Sequence, residues 1–340
     1  MPEYNDDRDR PAGDADLVAH LMRAAGRRIE PPNAAYGRVL AAATESWERK
    51  VQRRRLVRGS AFAAASIAVI SAVLALLPNL QRAPVALVGH IDRVLGVCEI
   101  RRDEGWTAVT AGAVELAAGQ RIRTHGASRA GILLAGDISL RLADRTEVLL
   151  ESSSRVRVLA GMIYVDTGAV APSSHPRIQI VTPAGVAADY GTQFEVRYLE
   201  GAFRVRVREG RVAIDPRDAA SLGTVAGDEI TIRSGAVERQ HIAATDAQWQ
   251  WVQALAPKPR IDGQSVSFLL AWVARETGKQ VRFAGPEVTR KADTTILHGD
   301  IGNVAPLEAL ALMLATTDLE HVILDDGTIL VRLRGSQLQR

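Results

Sequence analysis

The sequence predicts a multi-domain chain: a helical cytoplasmic head, a single transmembrane helix, an all-β periplasmic domain folded as a curled sandwich or β-roll, and a small α+β C-terminal domain of doubled βαβ pattern. Three observations carry that prediction. At 340 residues the chain is longer than one hydrophobic core ordinarily supports. A single long run without charge stands at residues 59–77, and period-two alternation of apolar and polar residues then fills most of residues 85–239. The boundaries that follow are 1–58, 59–78, 85–239, a helical linker at 240–259, and 260–335.

The head comes first. Residues 14–28 place Leu17, Val18, Leu21, Met22 and Ala25 at helical spacing, with Asp14 and Asp16 suited to the positive end of a helix, and Pro31-Pro32 stops it. Residues 33–55 carry Tyr36, Val39, Leu40, Ala43, Trp47 and Val51 on one stripe. Two short helices bury little by themselves, so Leu21, Leu40 and Trp47 are candidate partner-binding residues; the plainer reading is a membrane-proximal stalk. His20 has no second His or Cys near it, which excludes a zinc-holding head.

The run GSAFAAASIAVISAVLALL at 59–77 is close to the ~20 residues that cross a bilayer as a helix; a buried core helix is the alternative. Arg49, Lys50, Arg53, Arg54, Arg55 and Arg58 precede it, while only Arg82 follows before Asp92. Basic residues are retained on the cytoplasmic side, so the expectation is a single-pass bacterial inner-membrane protein, N-terminus in the cytoplasm and C-terminal domains in the periplasm. Up to Arg58 there are 12 Lys and Arg against 9 Asp and Glu, and the remaining 30 and 30 balance. No basic face is left in the larger part for nucleic acid. Cys98, the one cysteine, excludes an intrachain disulfide and a thiolate cluster.

Within 85–239 the runs DISLRLAD, TEVLLESSSRVRVLAG, RIQIVTPAGVAADYG, TQFEVRY and FRVRVREGRVAID alternate with Gly, Asp or Ser at the joins. After Gln240 the composition shifts. Trp249-Gln250-Trp251 and the Pro257 to Pro259 stretch form the linker, and the last domain reads as a helix Val266–Thr277, strands at 280–283 and 294–298, a helix at 306–315, and a hairpin of 322–324 and 328–333 turned by Asp326-Gly327.

Two resemblances rest on particular residues. Val181-Thr182-Pro183, Tyr190-Gly191-Thr192-Gln193-Phe194-Glu195-Val196 and Val205-Arg206-Val207-Arg208-Glu209-Gly210-Arg211-Val212 resemble the ordered turns of FecR-type sigma-factor regulators over about residues 90–235, with Tyr190 where Leu is usual. Leu297-His298-Gly299-Asp300-Ile301 and Ala305-Pro306-Leu307-Glu308-Ala309-Leu310 resemble STN, the short domain shared by secretins and TonB-dependent receptors. The first resemblance implies an inner-membrane signal-transducing regulator of a cytoplasmic extracytoplasmic-function (ECF) sigma factor, either inhibiting or activating it, in a signalling route that begins at an outer-membrane TonB-dependent receptor. It also implies self-cleavage at Gly191-Thr192 in some members, by attack of the Thr hydroxyl on the preceding carbonyl. The plain reading of those two residues is structural: a Gly where the chain bends and a Thr entering a strand. The STN-like module taken alone suits a non-catalytic envelope scaffold of a secretion or uptake system.

A membrane-anchored hydrolase is the third class, and the residues disfavour it. The histidines at 20, 90, 125, 175, 241, 298 and 321 never fall at metal-ligand spacing, and neither a phosphate loop nor a nucleophile elbow is present. Asp325-Asp326 and Asp6-Asp7 read as solvated turn and terminus. No cofactor or metal is expected.

Overall fold

A computed structural model describes residues 13–26, 37, 38, 41, 86–103, 105–109, 114–168 and 175–335. The chain divides into two compact units, Met1–Ala83 and Pro84–Arg340. In the first, Gly13–Ala24 is a helix whose Leu17, Val18, Leu21 and Met22 are all exposed. Arg23 lies in its last turn, where a cation favours the negative end of the helix.

The predicted fold class is overturned. The described chain is predominantly β, and among the described residues no helix is long and apolar enough to cross a membrane. The physical reason is length and commitment. Gly13–Ala24 has 12 residues, about 18 Å at the rise of an α-helix against a hydrocarbon core of ~30 Å. The buried apolar residues of the second unit are gathered in compact cores built on strands and short helices. The segment 59–78 lies outside the described residues, as does the second head helix apart from residues 37, 38 and 41, which are helical.

The second unit opens with two β-layers. One runs Val114–Ala117, Leu87–Leu95, Arg129–Leu134, Ile138–Leu142, the later half of Arg155–Asp166, Gln193–Leu199, Ala202–Glu209, Asp228–Arg233 and Ala236–His241, all antiparallel. The other runs Gly105–Val109, Cys98–Arg102, Arg121–Thr124, Glu147–Ser152, the earlier half of Arg155–Asp166, Ile178–Thr182, Gly185–Asp189, Arg211–Pro216 and Leu222–Val225. Its only parallel pairing, among the described residues, is that of Arg155–Asp166 with Ile178–Thr182. A single hydrophobic core draws Ile132, Leu140, Phe194 and Val205 from the first layer and Ile100, Val148, Ile180 and Ile214 from the second. A two-layer sandwich results.

The 12-residue strand Arg155–Asp166 belongs to both layers and must bend between them. It bends at Gly161, whose φ is 96°. A Cβ there would stand 2.5 Å from Thr146 Cα. Thr146 pins the corner: its Oγ1 accepts from Met162 N at 3.0 Å.

Beyond the sandwich, a short 3-10 turn at Ala247–Trp249 and a helix Gln250–Gln253 lead to a second core. Helix Val266–Thr277 starts at Ser265, whose side chain accepts from Phe268 N, and ends at Gly278 with φ 68°. Helices Pro286–Thr294 and Pro306–Leu314 each begin on a proline, and one sheet of Val281–Phe283, Ile329–Leu333 and Leu319–Ile323 completes the module. The doubled βαβ pattern is therefore corrected to one three-stranded sheet with three helices. Residues 294–298 contribute only an isolated bridge, Ser265 to Ile296, because the helix started by Pro286, with Glu287 in its first turn and Lys291 in its last, runs on to Thr294.

The module is seated on the sandwich by buried charge. Arg141, fully buried in strand Ile138–Leu142, donates to both oxygens of Glu276 at 2.7 and 2.8 Å and to Val252 O at 2.9 Å. Arg275, one residue earlier on helix Val266–Thr277, grips Asp166 and donates to Glu209 at 2.9 Å. Tyr164, Ile242, Trp249 and Val252 form a small apolar cluster beside these pairs.

Candidate functional site

The chain passes from one layer to the other twice at the same end of the sandwich. Between Gly185–Asp189 and Gln193–Leu199 it crosses through Tyr190-Gly191-Thr192, and between Ala202–Glu209 and Arg211–Pro216 it crosses at Gly210. Both crossings need a backbone that side chains resist: φ is 99° at Gly191 and 82° at Gly210. The two turns touch. A Cβ on Gly210 would meet the Gly191 carbonyl oxygen at 2.4 Å.

Thr192 is fully buried at this contact. Its hydroxyl donates to Asp189 Oδ1, and the same oxygen accepts from Gly191 N at 3.1 Å. The Thr192 N–H, which belongs to the Gly191-Thr192 peptide, donates to Thr167 Oγ1 at 2.9 Å. Thr167 N in turn donates to Thr192 O at 3.2 Å. Asp189 is itself fully buried, and its Oδ2 makes no hydrogen bond. Burial raises the Asp189 carboxyl above the ordinary carboxylate range, against the pull of the Thr192 hydroxyl, the Gly191 N–H, Thr167 and the charge of Arg177. Chemically, the turn holds a hydroxyl, a basic carboxylate and an acceptor for the peptide N–H around one peptide bond.

A charged clamp lies next to it. Gln193, directly after Thr192, donates to Asp166 Oδ2 at 2.8 Å and to Arg275 O at 3.3 Å. Glu209, directly before Gly210, pairs with Arg275. One arginine of the C-terminal module thus holds residues flanking both crossings. Burial works against the charge on Asp166, but the bonds and charge of Arg275, with the Gln193 amide, hold its carboxyl below the ordinary range.

Gly191 and Thr192 are brought together with Asp189 and Thr167, which the sequence reading did not select. The spacing of Asp189, two residues before Gly191 and three before Thr192, is a readable signal for a side chain that caps its own turn. Thr167, 25 residues upstream of Thr192, leaves no local trace. Of the predicted partner-binding residues, Leu21 is 60% exposed on its helix, while Leu40 and Trp47 lie outside the described residues. Among the described residues no group of His, Cys, Asp and Glu is placed to hold a metal ion.

The fold and this turn define a class: a two-layer β module with a buried Gly-Thr crossing whose flanking residues are held by a small α+β domain. Residues 120–213, which contain both crossings, match the family model described as FecR protein, a regulatory and non-enzymatic family. The match supports a sigma-factor regulatory role in general. Two crystal structures of a candidate anti-sigma factor from Parabacteroides distasonis are similar at 15% identity and a TM-score of 0.34. They cover 63% and 62% of this chain and 98% and 97% of their own. A likeness of that size carries no argument about function. No curated protein matches the chain.

Proposed function

We propose that the chain is a signal-transducing regulator of a cytoplasmic ECF sigma factor, driven from the cell envelope by the signalling domain of an outer-membrane TonB-dependent receptor. The observation that carries the reading is the FecR match over residues 120–213, which spans the turn with the distinctive buried chemistry. The apolar face of Gly13–Ala24, with Leu17, Val18, Leu21 and Met22 exposed, is a surface for the sigma factor. The module at residues 260–335, similar to STN in its Ala305-Pro306-Leu307 step, is the receptor-facing part, and its location together with the β-sandwich is the bacterial periplasm. Cleavage of the Gly191-Thr192 bond by the chain itself is part of the reading.

The test has two arms. Deleting residues 1–58 should abolish the effect of the chain on transcription of the target genes, and the full chain used as bait should retain a sigma factor. Unchanged transcription after the deletion, with no sigma factor retained, would favour the envelope scaffold instead. Separately, Thr192→Ala should leave the chain at full length on an immunoblot where the parent gives two fragments.

A further inference from the structure

Taking the self-cleavage reading as its basis, we propose that Asp189 is the catalytic general base of that reaction and Thr167 the residue that positions the scissile N–H. Asp189 Oδ1 already accepts the Thr192 hydroxyl, the one group that must lose a proton for attack. The geometry offers no competing base at this hydroxyl among the described residues, since Asp166 is engaged by Arg275 and Gln193. Among the described residues Asp189 forms no ion pair, the charge of Arg177 acting on it without a salt bridge, so no cation holds its carboxylate within bonding reach. A buried carboxylate that ionises reluctantly is a stronger proton acceptor than a solvated one.

The step balances as follows. Asp189 takes the proton from Thr192 Oγ1, and the oxygen's electron pair forms a new bond to the Gly191 carbonyl carbon through a five-membered ring. The tetrahedral oxyanion collapses, the C–N bond breaks, and the Thr192 nitrogen receives the proton held by Asp189. An ester now joins the Gly191 carbonyl to Thr192 Oγ1, with a free amine on Thr192. Water hydrolyses that ester, leaving a Gly191 carboxylate and restoring the Thr192 hydroxyl. Thr167 Oγ1, 2.9 Å from the Thr192 nitrogen, accepts its N–H and so fixes the orientation of the peptide under attack.

Asp189 also caps the turn through the Gly191 N–H, so the test must separate proton transfer from shape. The full chain is made by cell-free synthesis, and the fragments ending at Gly191 and starting at Thr192 are timed by mass spectrometry. Asp189→Asn keeps an acceptor oxygen of the same size but cannot take a proton; cleavage should slow by about 100-fold. Adding Thr192→Cys to that variant supplies a thiol that ionises near pH 8.5 without help, and cleavage at pH 9 should recover at least tenfold. An Asp189→Asn chain that cuts within about threefold of the parent overturns the base assignment while the self-cleavage reading stands. A blocked variant that Thr192→Cys fails to rescue overturns it too, since the role of Asp189 is then to shape the turn. A parent chain that stays whole overturns the underlying reading, and the inference with it.

Discussion

Replacing Glu276 by Gln tests what seats the C-terminal module on the sandwich. The Arg141 side chain is 0% exposed and that of Glu276 4%, and they meet through two bonds of 2.7 and 2.8 Å. Burial works against the charge on Arg141, yet the Glu276 carboxylate more than offsets it and holds the guanidinium protonated. Remove the carboxylate charge and the hydrogen-bond acceptors left to Arg141 are neutral, the new amide oxygen with Val252 O at 2.9 Å and Ser139 Oγ at 3.2 Å, while the charge of Asp166 is already engaged by Arg275. An uncompensated buried charge costs about 3 to 5 kcal/mol. For a unit of this size each kcal/mol is worth roughly 2 to 4 °C in Tm, so calorimetry should record a fall of about 10 °C. Glu276→Gln should also expose residues 254–264 to limited proteolysis, because this segment joins the module to the sandwich. Replacing both partners, Arg141→Met with Glu276→Leu, should recover most of the loss, since neither charge is then left buried. A Glu276→Gln cost under about 1 kcal/mol, or a double variant no more stable than the single one, would refute the reasoning.

Two further expectations concern the same unit. Gly161→Ala forces a side chain into a backbone with φ 96° and sets a Cβ 2.5 Å from Thr146 Cα; urea unfolding should show a loss of roughly 2 kcal/mol or more. The Asp166 carboxyl is held below its unfolded value by Arg275, so its stabilisation is present above that unfolded value and is lost as pH falls through the folded one. The clamp should therefore weaken as pH drops below about 4, which Arg275→Met isolates by removing that limb of the stability profile. Glu195 and Asp189, both raised by burial, act in the opposite sense, since the folded state binds their protons more readily. A profile identical in parent and Arg275→Met would count against the pair.

Much of the local structure was readable because its causes are local. Ser265 before Val266 and Gly278 after Thr277 bound one helix by capping chemistry alone. Thr182-Pro183, Gly191-Thr192 and Gly210, the turns that carry the FecR resemblance, all fall within the matched residues 120–213. Helix Pro286–Thr294 was missed although Gly285-Pro286 is a start signal, because its only buried side chains are Val288 and Ala292 and so the apolar period is thin.

By itself the sequence determined where the chain alternates, where it turns, and which peptide carries the Gly-Thr pair. Tertiary structure alone decided which strands share a layer, that Arg155–Asp166 serves both, and that Asp189, Thr167 and the Arg275 clamp converge on that peptide. The reason is physical: propensity, capping and turn geometry act over a few residues and leave a pattern in the chain. A buried carboxylate meeting a hydroxyl, or Arg141 meeting Glu276 across 135 residues, is selected by packing, which leaves no periodic mark.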